Sequence, residues 1–474
     1  MKRSKHSLSH YQLATFDMGW LVPVGHFEVL PGDSVRMGSS ALLRVSPLVA
    51  PVMHPVSVRI HTFFVPYRIL WEGWENFITG GPDGLNTDSP PILSDVVNSY
   101  EIEDYLGIPP GYNGDRLSFP VLAYNKIWNE YYRDQDLSPE RADTQQGMGP
   151  ICWEKDYFTS ARPWVTKGNT VTLPLGPSAP VIGSGAPTFK FGATVSSLSS
   201  KTSGDDLMTT LQTPAAEMNW QDPKLSADLS LATAASINDL RLAFALQRYQ
   251  EARAQYGSRY TEYLRYLGVR SSDARLQRPE YLGGGKTTVS FSEILKTGAD
   301  EAASEPVGTL KGHGIAALRT RRFVRFFEEH GIVMSLASLR PRSMYTDGVH
   351  RSYLKKTKED YWQRELEHVG QQEIYNQEVY ANHTTPDGVF GYQNRYAEYR
   401  HQPSIVTGEF RDTLNYWHMA RSFAGEPALN QSFVLCDATK RIHAEQTANS
   451  IWGMFSHSIQ CRRFLGHSTI GKIL

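Results

Sequence analysis

The sequence has little cysteine. Cys152, Cys436 and Cys461 are the three in 474 residues. That is too few and too scattered for a disulfide scaffold, and no CxxC pair offers a structural zinc site. No run of apolar residues approaches 18, so no membrane-spanning helix is expected. Excess charge is absent too: Lys plus Arg is 48, Asp plus Glu is 49, and the formal net charge is -1. A protein built mainly to hold nucleic acid by charge would be distinctly basic. The basic start, Met1 to His6, leads into no apolar stretch and is not read as a secretory leader. No repeat of fixed period occurs, which argues against solenoids and propellers. These absences lead to the expectation of a soluble protein made in a reducing cytoplasm.

Catalytic and cofactor signatures are equally scarce. Gly285-Lys286-Thr287 resembles the end of a phosphate-binding loop, but Glu280 stands where the first glycine belongs, so a turn is expected there. There is no HExxH and no HxH. His6 and His10 are four apart and could share a helix face, yet no acid lies between them; a mobile terminus is the plainer reading. Gly183-Ser184-Gly185 lacks nucleophile-elbow spacing. Cys436 beside Asp437 reads as packing. In Glu328-Glu329-His330 adjacent side chains diverge in a helix or a strand, so no acid–base pair follows. No enzyme, no cofactor and no metal site are expected.

What is present is turn chemistry and β pattern: Gly 38, Pro 27 and 11 % aromatic residues. Val56 to Val65 alternates Val56, Val58 and Ile60 against Ser57, Arg59 and His61, between Pro55 and Pro66. A strand pair is expected around the turn Leu30-Pro31-Gly32-Asp33. Leu122 to Tyr132 reads as a helix. A second helix is expected from a Ser236–Asp239 capping box to Tyr256, ending at Gly257. Gly283-Gly284-Gly285 reads as a break. Ile332–Leu339, Ser432–Cys436 and Ile451–Phe464 are further strand candidates. Residues 176–232, rich in Ser, Thr, Gly, Ala and Pro, read as a long inserted loop with weak structure of its own. Strands at both ends of the chain suit one β scaffold with enlarged connections.

The densest basic run is Arg319, Arg321, Arg322 and Arg325, interleaved with Phe323, Phe326 and Phe327. Such a run could clamp phosphates and stack bases. It could equally be an arginine-rich face neutralised by Glu328 and Glu329. Lys2, Arg3 and Lys5 form a small basic arm that touches a polyanion or is a solvated end. Lys355-Lys356 with Lys358, and Arg462-Arg463, are weaker clusters.

Eight strings go beyond composition. They include Phe16 to Pro23, Glu28-Val29-Leu30-Pro31-Gly32-Asp33, Phe63-Phe64-Val65-Pro66-Tyr67-Arg68 and Tyr124 to Asp134. Asp156 to Ala161, Arg275-Leu276-Gln277-Arg278-Pro279-Glu280-Tyr281-Leu282-Gly283-Gly284, Gly408 to Arg411 and Tyr416 to Arg421 complete the set. From about residue 7 to the C-terminus they closely resemble, in order, the major capsid protein of the Microviridae, in particular the gokushovirus-like branch of small single-stranded DNA bacteriophages. The resemblance implies a mainly β fold, an eight-stranded antiparallel jelly roll of viral capsid type with long helix- and loop-containing insertions. It implies about sixty copies in a T=1 icosahedral shell around a single-stranded DNA genome, assembled in the bacterial cytoplasm. Residues 1–474 then form one capsid domain, with 176–232 as the variable surface insertion, the candidate three-fold protrusion and host-receptor contact. A net charge of -1 leaves genome phosphates largely unneutralised, so a small basic internal or DNA-binding protein, polyamines or metal ions are expected to share that work. A minor spike or pilot protein and a host surface receptor are further expected partners. A jelly-roll carbohydrate- or receptor-binding module is the alternative.

Overall fold

The computed structural model describes residues 3–169, 171, 181–183, 188–191, 194–197, 218–222, 225–227, 237–298 and 306–465. Twelve strands build its two main sheets: β1 (Ser4–Ser7), β2 (His10–Phe16), β3 (Trp20–Val29), β4 (Ser34–Leu48), β5 (Val56–Pro66), β6 (Gly149–Pro150), β7 (Glu280–Thr288), β8 (Ser290–Leu295), β9 (Leu310–Arg319), β10 (Phe323–Phe326), β11 (Gly331–Pro341) and β12 (Ile451–Arg463). The seven-stranded sheet runs β1, β12, β4, β9, β8, with β2 also on β12 and β10 also on β4. The five-stranded sheet runs β7, β5, β11, β3, β6. Their pairings are antiparallel. The fold is thus mainly antiparallel β, of the β-rich capsid type. Seven and five segments stand where the resemblance implies eight strands, partly because two strand lines are broken. β1 and β2 continue each other along β12, as β9 and β10 do along β4.

Period-two alternation makes this a sandwich. In β4, Val35, Met37, Ala41, Leu43 and Val45 are buried, while Arg36, Ser40, Leu42 and Arg44 are exposed. Leu43, Val45, Ala316, Leu318, Ile451 and Phe455 meet Val22, Val24, Val58, Ile60, Ala337 and Leu339 from the facing sheet. Burying each large side chain contributes on the order of 1.5–3 kcal/mol relative to exposure. The opposite face of the five-stranded sheet is covered by helix α1 (Phe119–Ile127), which continues as one π-turn over Trp128–Tyr132. The helix expected from Leu122 therefore starts at Phe119, and its last residues are π-helical. Tyr124 pins it, donating to the Leu21 carbonyl at 2.6 Å and accepting from Gly149 N at 2.9 Å.

Several expectations need correction. The strands flanking Leu30–Asp33 exist but do not pair: β3 lies in one sheet and β4 in the other, so the turn is a corner between sheets. Its Asp33 carboxylate accepts from Leu30 N at 3.0 Å. Gly283-Gly284-Gly285 is no break and Gly285-Lys286-Thr287 no turn; all lie within β7, with a register shift between Tyr281 and Gly283. Gly284 is needed because a Cβ there would lie 2.3 Å from the Ile60 carbonyl oxygen. Residues 432–436 form no strand. Gln431–Val434 is a helical turn whose Asn430 side chain accepts from Phe433 N at 3.1 Å. His6 and His10 share no helix, since each lies on a strand paired with β12. The strands expected at 56–65, 332–339 and 451–464 are β5, β11 and β12.

The chain divides into two compact units, one of Met1–Val165 with Arg253–Leu474, the other Thr166–Ala252. In the second, Thr188–Phe191 pairs antiparallel with Thr194–Ser197 and Met218–Asp222, and Leu225–Ala227 pairs with Val181–Gly183. The segment 176–232 thus carries β-structure where a loop is expected. Helix α2 (Ile237–Tyr256) starts in this unit and stops before Gly257, as the sequence pattern indicates. Ser236, its expected cap, lies outside the described residues.

Candidate nucleic-acid interface

The seven strands of the larger sheet contain one carboxylate, Glu293, and eight Lys or Arg residues. The five strands of the other sheet contain two carboxylates and three such cations. A chain neutral as a whole is therefore strongly polarised between its sheets, and net charge conceals it.

Register decides which side chains meet on the exposed face. At one end Lys5 stands opposite Arg462, Arg462 opposite Ser34, and Ser34 opposite Phe326. Further along, Gln460, Arg36 and Val324 share a row. Tyr11, Ser456, Ser40 and Arg319 follow, then Leu13, Met454, Leu42 and Ala317. Thr15, Trp452, Arg44 and Ile315 complete the face. Tyr11 is 74 % and Leu13 79 % exposed, so large apolar groups stand in solvent among the cations. Guanidinium groups that hold phosphates beside rings that stack on bases are what a single strand needs.

Arg3 joins the two basic runs that lie far apart in sequence. Its guanidinium donates to the Gly32 carbonyl and Ser34 Oγ, each at 3.0 Å, and lies 5.4 Å from the ring centres of Phe326 and Phe464. Lys5 and Arg319 lie on the exposed face. Arg321 and Arg322 occupy the link between β9 and β10, and Arg322 lays its Cγ over Gly38. Arg325 does not join them; it is paired with Glu280 of β7 at 2.9 Å. Lys2 lies outside the described residues. Arg463 is also structural, donating from Nε to Asp33 at 3.0 Å and from Nη2 to the Glu28 carbonyl at 2.6 Å. Among the described residues Lys5, Arg36, Arg44, Arg319, Arg321, Arg322 and Arg462 take part in no ion pair. The neutralisation by Glu328 and Glu329 does not occur with these groups: Glu329 takes Arg68 at 3.1 Å.

Sequence reasoning missed Arg36 and Arg44. The signal was available, because both fall on the polar phase of the alternation in β4. The other sequence candidates are structural. Cys436 is buried, and burial pushes its thiol up to about 12. His330 sets its ring edge against Trp74 at 5.5 Å. Lys355 lies 3.9 Å from the Tyr399 ring centre. Among the described residues, no cluster of His, Cys, Asp and Glu is arranged to hold a metal, and no helix is long and apolar enough to cross a membrane.

The chain is similar to known capsid proteins. The family described as capsid protein (F protein) matches residues 1–465. Capsid protein VP1 of Bdellovibrio phage phiMH2K is 35 % identical, over 91 % of this chain and 87 % of its own. VP1 of Chlamydia phage 1 is 33 % identical, over 92 % and 89 %. VP1 of Spiroplasma virus 4 is 31 % identical, over 91 % and 87 %.

Proposed function

The chain belongs to the phage capsid protein (F protein) family, as a major capsid protein of gokushovirus type, and on that premise we propose that about sixty copies close into a T=1 shell around a single-stranded DNA genome. The exposed face of the seven-stranded sheet is turned towards that genome. One observation carries this reading: seven strands with a single carboxylate present unpaired cations in register with exposed aromatic and apolar side chains. Such a surface binds a flexible polyanion by charge and stacking without reading its sequence. Assembly takes place in the bacterial cytoplasm.

Overall neutrality still leaves most genome phosphates for other cations. A small basic internal protein, polyamines or metal ions supply them, and a minor spike or pilot protein completes the particle. The segment 176–232, within the compact unit Thr166–Ala252, is the surface insertion at the three-fold axes and the contact for a host receptor. The test begins with the expressed chain: sizing and electron microscopy should find closed shells, and their DNA content should follow the charge of the sheet face. Only monomers or small oligomers under assembly conditions would overturn the reading.

A further inference from the structure

A cavity of about 680 Å³ opens on the side of the five-stranded sheet that faces away from the sandwich core. Its floor is Arg59 and His61 of β5 and Arg340 of β11, which alternate with the core residues Val58, Ile60 and Leu339. The lining holds seven arginines and Lys155 against five carboxylates. Those carboxylates are already engaged. Glu154 is shared between Arg59 at 2.9 Å and Arg340 at 3.7 Å. Asp273 takes Arg278 at 3.1 Å, and Asp134 is shared by Lys155 and Arg162. Arg265, on helix α3 (Tyr260–Tyr266), has no ion pair among the described residues, and the buried Nε of Arg59 has no acceptor.

The floor is short of negative charge. Burial lowers the pKa of Arg340, with Arg59 adding to it. Burial, then Arg59 and Arg340, push His61 down to about 4, so it is neutral at pH 7. Its Nδ1 shares a hydrogen bond with Tyr132 Oη at 2.8 Å. Tyr281 meets the His61 ring edge-on at 5.6 Å and is half exposed. The volume lies in the range of small-ligand sites. Guanidinium forks match phosphate oxygens, and a ring wall matches a flat partner.

We propose that this cavity binds a phosphate ester carried on a ring, of the size of a nucleotide or a sugar phosphate. Arg59, Arg340 and Arg265 hold the phosphate and Tyr281 contacts the ring. The site lies across the sandwich from the genome face, so its ligand comes from the other side of the subunit; that direction rests on the proposed function, and the binding does not.

The test is calorimetric titration of the full-length protein with deoxyadenosine monophosphate, glucose 6-phosphate, inorganic phosphate, deoxyadenosine and glucose. At least one ester should saturate with Kd below about 1 mM, and its uncharged counterpart should bind about tenfold more weakly or worse. Arg59→Gln and Arg265→Ala should each weaken binding about fivefold or more, because each removes a charge-assisted donor. Arg265→Ala removes an exposed, unpaired side chain and so spares the fold. Lys358→Ala, outside the cavity, should change nothing. Whichever ester binds more tightly identifies the ring. The proposal is overturned if neither ester saturates below about 10 mM, or if both arginine variants bind like the wild type. Ester binding in particles whose DNA content ignores sheet charge would sink the genome reading and leave this one standing.

Discussion

His457 of β12 donates from Nε2 to the carbonyl oxygen of Val24 on β3 at 2.6 Å, a hydrogen bond that crosses the sandwich from one sheet to the other. Its Nδ1 accepts from Ser39 Oγ at 2.8 Å. Both nitrogens are therefore satisfied by a neutral ring, and burial pushes its pKa down to about 4.

His54, His61 and His443 are likewise pushed down to about 4, chiefly by burial. An unfolded chain protonates such imidazoles near 6.5 and the folded chain resists until about 4. The unfolded state thus binds more protons between these values, and stability falls as pH falls through that window. The loss is on the order of 3 kcal/mol per imidazole when complete. The melting temperature of the unassembled protein should be level above pH 7 and drop steadily from pH 6.5 to 4.5. A flat profile over that interval would show that these rings are hydrated in solution.

Gly25 lies beneath the same imidazole, and a Cβ there would sit 2.5 Å from His457 Nε2. Gly25→Ala should displace the ring, break its bond to Val24 and destabilise the fold by about 1–3 kcal/mol. Urea unfolding measures it; an unchanged midpoint would mean that the ring gives way freely.

Reversing charge on the basic face should reduce packaging. Arg321→Glu with Arg322→Glu, or Arg36→Glu with Arg319→Glu, should lower DNA per particle or assembly yield and flatten the salt dependence of DNA binding. Arg325→Gln should leave DNA binding nearly intact, because that guanidinium is held by Glu280, and act on stability instead. Filled particles at normal yield from both double variants would argue that the face is merely solvated.

Removal of 178–230 should spare folding of the remaining unit, whose core residues all lie outside the segment, yet impair adsorption to the host. Normal infection by such particles would remove the receptor role.

Much of the scaffold was legible. β5 follows from alternation and proline punctuation, and β12 alternates as a half-buried strand must, whereas β11, buried on both faces, reads as a short apolar run. The stretch 432–436 misled, since five apolar-leaning residues suit either a strand or a helical turn, and the Asn430 cap decided for the turn. The glycines at 283–285 misled in the other direction: Gly284 admits the close approach of β5, and the run does not end the strand. Arg36 and Arg44 were readable and went unread, because they stand apart in sequence and no local cluster draws attention to them.

Alone, the order of side chains along the chain determined that strands would form, which face of each would be apolar, and which family the chain resembles. Those are local or cumulative properties, set by period and composition. Only the tertiary structure decided that Arg3 reaches Phe326, that Lys5 stands opposite Arg462, and that the cations gather on one sheet while Arg325 turns to Glu280. Those facts depend on strand register between segments hundreds of residues apart, and register is settled by the whole core packing at once.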